Sequence, residues 1–256
     1  MVTRKKIKLI KSLHQKKYRY QHQLFVVEGA KSVLELLISS FGVRTLIGTK
    51  VFLQEHRKMI AQRLADQETI EVDEATLSGL SYFKNNSTAL AIADLPAVNP
   101  LKAVAHAYTL VLDNVRDPGN LGTIIRIADW YGIKQVVCSA ETTDAYAPKV
   151  ISGSMGSFLR VSVAYADLPS YLATAEVPVY GAALDQGVDL HRNPVRSSGG
   201  IILLGNESVG LRSKLSPWIS EYVHIPRYGH AESLNVGVAA AVICDNLLRL
   251  KNSPNK

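Results

Sequence analysis

The residues able to do chemistry crowd toward the C-terminal end of the chain. Ile201-Ile202-Leu203-Leu204 runs into Gly205-Asn206-Glu207, and Val223-His224-Ile225-Pro226 leads to Ala231-Glu232-Ser233-Leu234-Asn235-Val236. Each is an apolar, strand-like run that breaks into a short polar turn, and the second turn opens a long apolar helix pattern. Open α/β sheets bind ligands where strands end and helices begin, so Asn206, Glu207, Ser233 and Asn235 fall where a site is built. A third segment, Leu112-Asp113-Asn114-Val115-Arg116-Asp117-Pro118-Gly119-Asn120-Leu121-Gly122, reads as a strand ending in an Asp-Pro-Gly turn. A helix is expected to start near Asn120, a favourable N-cap residue, and Gly122 permits close approach. Arg126 lies about one and two-thirds turns further along that helix. Among Ile124, Ile125, Ile127 and Ala128 it reads equally as a phosphate-facing cation or as the solvated edge of an amphipathic helix. No G-x-G-x-x-G or P-loop follows a strand, which argues against the usual dinucleotide and triphosphate cradles. No metal is expected, because no Cys/His/Asp/Glu cluster has ligand spacing.

These turns need a scaffold, and the composition supplies one. The 256 residues are 47% apolar, enough for one large or two modest buried cores. Apolar strand-like runs at 24–27, 43–47, 69–72 and 89–93 alternate with helix-like ones at 30–38, 51–64 and 74–80. Two prolines and an asparagine in Asp94-Leu95-Pro96-Ala97-Val98-Asn99-Pro100 then interrupt the periodicity, which places a domain boundary between residues 1–97 and 98–256. The second half alternates again, with strands near 109–113, 135–138, 177–183, 201–204 and 222–225 and helices near 120–131, 147–153, 167–175 and 233–250. The fold class is therefore α/β, two α/β domains, the C-terminal one a mostly parallel sheet with helices on both faces.

The net charge of +7 points to an anionic partner. It is concentrated at the start: Arg4, Lys5, Lys6, Lys8, Lys11, Lys16, Lys17 and Arg19 all precede the first acid, Glu28, and Ile7, Ile10 and Leu13 give this stretch an apolar edge. An amphipathic helix with a cationic face is expected, holding nucleic-acid phosphates chiefly through Lys5, Lys6, Lys8, Lys16, Lys17 and Arg19. Cys138 and Cys244 sit in apolar runs without C-x-x-C spacing and read as buried thiols of a reducing compartment. No membrane span or signal-peptide core is visible, and a cytoplasmic location is expected.

At this point the motifs carry a family resemblance. Asp113-Asn114-Val115 with Asp117-Pro118, Asn120, Gly122 and Arg126, then Gly205-Asn206-Glu207 with Gly210-Leu211, then Ile225-Pro226 with Glu232-Ser233-Leu234-Asn235-Val236 resemble the three ordered motifs of the SpoU/TrmH RNA ribose 2′-O-methyltransferases, of the SPOUT class. Ser12-Leu13 through Lys17-Tyr18-Arg19 and Phe25-Val26-Val27-Glu28-Gly29 are similar to that family's N-terminal substrate-binding domain, and Ser154-Met155-Gly156-Ser157 resembles its Ser-x-Gly-Ala segment. Arg227 after Ile225-Pro226 and Ser208 after Asn206-Glu207 depart from the common pattern and bear on the rim of the site.

The resemblance implies a deep trefoil knot in the C-terminal domain and S-adenosylmethionine as cofactor, held by Leu204, Gly205, Asn206, Ile225 and Leu234. It implies a dimer through the C-terminal domain, with RNA as substrate, ribosomal RNA favoured and transfer RNA the alternative. Catalysis falls to Arg126 as electrostatic organiser, because an arginine stays protonated. Asn120 and Asn235 would orient substrate or loop backbone, Ser233 the ribose or the cofactor loop, and Glu207 would fix Arg126 or the knot. Two other classes compete with this reading. A non-catalytic RNA-binding protein would not need these polar residues intact, and a hydrolase using Ser233 with His224 or His230 would need a G-x-S-x-G elbow that is missing.

Overall fold

The computed structural model describes residues 2–193, 195, 198–206 and 208–251. Its contacts gather into two compact units, Met1–Ala97 with Asp144–Leu159, and Val98–Thr143 with Arg160–Lys256. The segment 144–159, which sequence periodicity grouped with the second half, thus packs in the first unit.

In the first unit the strands β1 (Leu24–Glu28), β2 (Val43–Gly48), β3 (Glu68–Glu71) and β4 (Ala89–Asp94) form a sheet in the order β1-β4-β2-β3. The β2–β3 pair is parallel and β4 runs antiparallel to both its neighbours. Phe25, Val26 and Val27 are all buried because this sheet is covered on both faces, and period-two alternation sends them to different layers. Val26 joins Ile10 and Leu13 of α1 (Arg4–Leu13) with Leu77 and Leu80 of α6 (Glu74–Leu80). Phe25 meets the rings of Tyr146, at 4.9 Å, and Phe158, at 6.0 Å, both from the 144–159 segment. The remaining helices are α2 (Lys16–His22), α3 (Ala30–Ile38), α4 (Lys50–Glu55), α5 (Arg57–Arg63) and, within 144–159, α8 (Pro148–Ser154). The single helix expected over 51–64 is two, meeting at His56, whose φ of −107° departs from helical values.

The expected cationic face needs correcting at two positions. Arg19 is 2% exposed. Its Nε donates to Asp144 Oδ2 at 2.9 Å, its Nη2 to the same oxygen, and its Nη1 to the Leu13 carbonyl at 2.8 Å. Lys6 is paired with Glu68 at 2.5 Å. Lys5, Lys8, Lys11, Lys16 and Lys17 are exposed.

In the second unit seven parallel strands run in the order β7-β6-β5-β10-β8-β11-β9. They are β5 (Tyr108–Leu112), β6 (Gln135–Cys138), β7 (Ser162–Tyr165), β8 (Val179–Ala183), β9 (Val188–Asp189), β10 (Gly200–Leu204) and β11 (Glu221–His224). The central pair β5 and β10 is buried at every residue, as expected of parallel strands with helices on both sides. The helices are α7 (Pro118–Trp130), α9 (Leu168–Ala173) and α10 (Val236–Lys251). No described helix is long and apolar enough to cross a membrane.

Candidate active site

The site is built on the loops that leave β5, β6, β10 and β11 at their C-terminal ends, where a parallel sheet presents its ligands. Immediately after β5 comes Asp113, a carboxylate with no exposed surface. A buried charge needs a partner and hydrogen bonds. Arg212 supplies both: its backbone N–H donates to Asp113 Oδ2 at 3.0 Å and its Nε to Oδ1 at 2.7 Å. The same guanidinium reaches Glu141, beyond β6, with Nη1 to Oε1 at 2.8 Å and Nη2 to Oε2 at 3.3 Å. These bonds hold the Glu141 carboxyl down at about 2. The bond to Asp113 and, behind it, that to Glu141 raise the Arg212 pKa above the usual guanidinium value. One arginine thereby ties together the loops after β5, β6 and β10.

Two glycine and asparagine positions shape the β10 loop. A Cβ on Gly205 would stand 2.3 Å from the Gly210 carbonyl carbon, so only glycine lets the loop fold back this closely. Asn206 and Gly210 exchange backbone hydrogen bonds at 3.1 and 2.9 Å, closing a tight turn. The Asn206 side chain works in two directions: Oδ1 accepts from Ser208 N at 2.9 Å, and Nδ2 donates to the Asn114 carbonyl at 2.8 Å. Asn114 itself has a φ of +62°, a left-handed conformation that asparagine tolerates better than most residues. Its N–H donates to Ser139 Oγ at 2.9 Å, so the β5 and β6 loops are joined a second time.

The first and third motifs meet through another asparagine pair. Asn235 Nδ2 donates to Asn120 Oδ1 at 2.8 Å, while Asn235 Oδ1 accepts from Gly237 N at 2.9 Å and Val238 N at 3.3 Å. Asn235 is thus the cap of α10, which begins at Val236 rather than Ser233. The expectation that Asn120 caps α7 is corrected. Asp117 is the cap, accepting from Asn120 N at 2.8 Å, with Pro118 at the first helical position. This frees the Asn120 side chain to reach Asn235. Arg126, further along α7, is exposed, as are Ser233, Leu234 and Asn235. Leu204 is buried, while Gly205, Asn206 and Ile225 are partly buried. Arg227 donates from Nη1 to the Ala231 carbonyl at 3.2 Å, folding its own loop. Glu207 lies outside the described residues.

The structure therefore brings together Asn120 with Asn235, and Asn206 with the residue after Asp113. Sequence reasoning missed the Asp113–Arg212–Glu141 cluster. Its one legible signal is a charge set directly on the end of a buried strand, in Leu110-Val111-Leu112-Asp113.

Comparison with known proteins identifies the family of the chain. The SpoU rRNA methylase family model matches residues 107–245, and that of the MRM3-like substrate binding domain matches residues 4–91. Over 245 residues the chain is 32% identical to the 23S rRNA (guanosine(2553)-2′-O)-methyltransferase RlmP of Bacillus subtilis, covering 94% of this chain and 95% of that one. An AdoMet-bound rRNA methyltransferase from Sinorhizobium meliloti superposes with a TM-score of 0.86 at 28% identity, covering 99% of this chain and 97% of the other. A TrmH-family protein from Porphyromonas gingivalis gives 0.85 at 35% identity, covering 97% and 99%. The chain belongs to the SpoU rRNA methylase family. Its activity is S-adenosylmethionine-dependent 2′-O-methylation of RNA ribose.

The loops fit that methyl donor. Among the described residues, the backbone groups of 225–234 pair with no other backbone group, and the Ala231 carbonyl is held by the Arg227 side chain, so this loop has unpaired backbone polar groups that could face a ligand. His224 Nδ1, next to Ile225, is buried and without a hydrogen-bond partner among the described residues. Ile225 and Leu234 present apolar surface of the kind that adenosine needs, and Leu204 is buried at the end of β10.

Proposed function

We propose that the acceptor is a ribose 2′-hydroxyl of 23S ribosomal RNA, with residues 1–97 capturing the RNA and residues 98–256 carrying the chemistry. The target reading is supported by the 23S rRNA activity named for the Bacillus relative and for the RlmB protein of Xanthomonas axonopodis, 30% identical over 226 residues. Residues 204–206, 225 and 234 hold the donor, which supplies an electrophilic sulfonium methyl group when bound. A ribose hydroxyl is a weak nucleophile near neutral pH, so the chain's own residues must align it, offer its proton a path and stabilise the oxyanion that develops. Arg126 serves the last of these as a fixed cation that also draws in the neighbouring phosphate. Asn120 and Asn235, locked to each other, set the position of the acceptor ribose, and Ser233 holds it or the donor loop. Glu207 orients Arg126 or the knotted backbone. The observation that carries this reading is the 2.8 Å bond from Asn235 to Asn120, which fixes the cap of α10 to the helix that bears Arg126.

The second unit folds, on this account, as a deep trefoil knot and pairs with a second copy. Trp130 of α7 is 84% exposed and Val238 of α10 is 49% exposed, and an apolar surface of this kind on two adjoining helices suits a homodimer contact. Both cysteines are free and buried, which suits the reducing cytoplasm. The deciding experiment maps 2′-O-methylated nucleotides by mass spectrometry in RNA from a deletion strain and its parent. Loss of one such nucleotide from 23S rRNA is expected. Loss from a transfer RNA instead would replace the target, and no loss from any RNA would remove the assignment.

A further inference from the structure

The amino-terminal segment is not a uniform cationic face, because α2 sorts its side chains. Arg19 points inward, committed to Asp144 and the Leu13 carbonyl. Lys16, Lys17, Tyr20 and His22 are exposed and Tyr18 is half-buried. The aromatic groups are interleaved with the lysines. The Tyr18 and His22 rings, one helical turn apart, lie within 20° of parallel with centroids 6.5 Å apart. The Lys17 ammonium sits 5.8 Å from the Tyr18 ring centre and that of Lys16 is 5.8 Å from the Tyr20 ring centre. Tyr20 is 41% exposed, yet its hydroxyl lies 3.5 Å from Oδ1 of Asp144, the carboxylate that Arg19 also holds. The ring is therefore both presented and anchored.

A merely solvated cationic helix has no use for such rings. Aromatic residues make up 7% of the chain, so a seven-residue helix would carry fewer than one on average, and α2 carries Tyr18 and Tyr20 in addition to His22. Lysines bind the phosphates of any nucleic acid, paired or not. Exposed rings add affinity only where base faces are unstacked and open to them, as in single strands, loops and bulges. No acid precedes Glu28 in the sequence, and Asp144, the carboxylate that meets Tyr20, is buried and paired with Arg19, so the exposed charges of α2 are positive.

We propose that α2 is a stacking platform for unpaired RNA bases, with Tyr20 and the Tyr18–His22 pair receiving base faces while Lys16 and Lys17 hold the flanking phosphates. The proposal deepens the reading that residues 1–97 capture the RNA, and rests on it. Arg19 and Asp144 act as positioning residues, holding the helix so that its rings face outward. The platform selects a loop or single-stranded stretch over a continuous duplex.

The test compares the full-length protein with its Tyr20→Ala, Tyr20→Phe, Tyr18→Leu and His22→Ala variants, by fluorescence anisotropy on an unstructured RNA of about ten nucleotides and on a duplex of the same sequence. Tyr20→Ala should weaken single-strand binding by about fivefold to a hundredfold, Tyr18→Leu and His22→Ala by less, and Tyr20→Phe, which keeps the ring, hardly at all. Duplex affinity and the slope of log affinity against log salt should stay at wild-type values in all four, since stacking releases no counterions. Exchanging Lys16 and Lys17 for glutamine should instead lower the slope by roughly 0.7 per lost contact on the single strand. Ultraviolet crosslinking to a 4-thiouridine-bearing strand should mark the peptide that contains Tyr18 and Tyr20. Wild-type affinity in Tyr20→Ala and Tyr18→Leu, or equal losses on duplex and single strand, would overturn the platform while leaving RNA capture by the first unit intact. A wild-type protein that binds neither RNA, or binds with no salt slope, would instead overturn the capture reading itself.

Discussion

Replacing Arg212 with alanine should unfold the second unit more readily than any single change on the rim of the site. Asp113 has no exposed surface and depends on Arg212 for its only charged partner among the described residues. Removing one partner of a buried pair leaves an uncompensated charge, which costs about 3–5 kcal/mol. The Arg212 side chain is 27% exposed, so water can partly replace it and the lower figure, about 3 kcal/mol, applies. The bond to Glu141, whose side chain is 47% exposed, adds at most about 1 kcal/mol. For a chain of this size such a loss lowers the melting temperature by roughly 6–12 °C, read by calorimetry or circular dichroism at pH 7. Arg212→Lys keeps a charge but loses the fork, and should fall between wild type and alanine. Asp113→Asn in the Arg212→Ala background removes the stranded charge and should recover on the order of 1 kcal/mol, so the two changes cost less together than their sum. Acid adds a second signature. Glu141 is held at about 2 in the folded chain against an ordinary 4.5, so its contribution is complete above pH 4.5 and is lost as the pH falls toward 2. The stability gap between wild type and Arg212→Ala should narrow over that window. Unchanged melting in Arg212→Ala, or strictly additive costs in the double variant, would refute the claim that this arginine holds the three loops.

Other outcomes follow from the same geometry. Arg126→Ala should leave S-adenosylmethionine affinity near wild type in calorimetry while slowing methyl transfer about a hundredfold or more, with poor rescue by lysine. Asn120→Ala and Asn235→Ala each break the same 2.8 Å bond, so the double variant should transfer methyl groups no more slowly than the worse single one. Trp130→Glu should turn a dimer into a monomer in analytical ultracentrifugation while keeping the fold. Calorimetry in chelator should show undiminished donor binding, and the reaction should need no divalent ion beyond what RNA folding requires.

Most of the element order was legible because each half alternates between strand and helix patterns, with β5 and β10 as uniform apolar runs. β7 escaped because Ser162-Val163-Ala164-Tyr165 is only four residues long, with half-buried ends around two buried residues and no period-two alternation to mark it. β9 is two residues long and exists only through its pairing with β11. The identity of long-range partners left no local trace. Arg19 looked like one more cation in a basic run, yet it finds Asp144 across a sequence separation of 125 residues. Arg212, which no sequence motif singles out, is the centre of a clamp. At Asn120 the local rule picked the wrong cap, because Asp117 followed by proline is the stronger start signal and leaves the asparagine for a tertiary bond. The motif residues were visible by type and order, whereas the bonds that unite them required the fold.

The measurement closest to the central claim is nucleoside mass spectrometry of 23S rRNA, taken from a deletion strain and from the same strain carrying either the wild-type chain or Arg126→Ala. One ribose-methylated nucleotide should disappear on deletion, return with the wild-type chain and stay absent with Arg126→Ala. Its return with Arg126→Ala at the wild-type level would contradict the placement of that arginine. A 23S rRNA unchanged by deletion would contradict the assignment of the substrate.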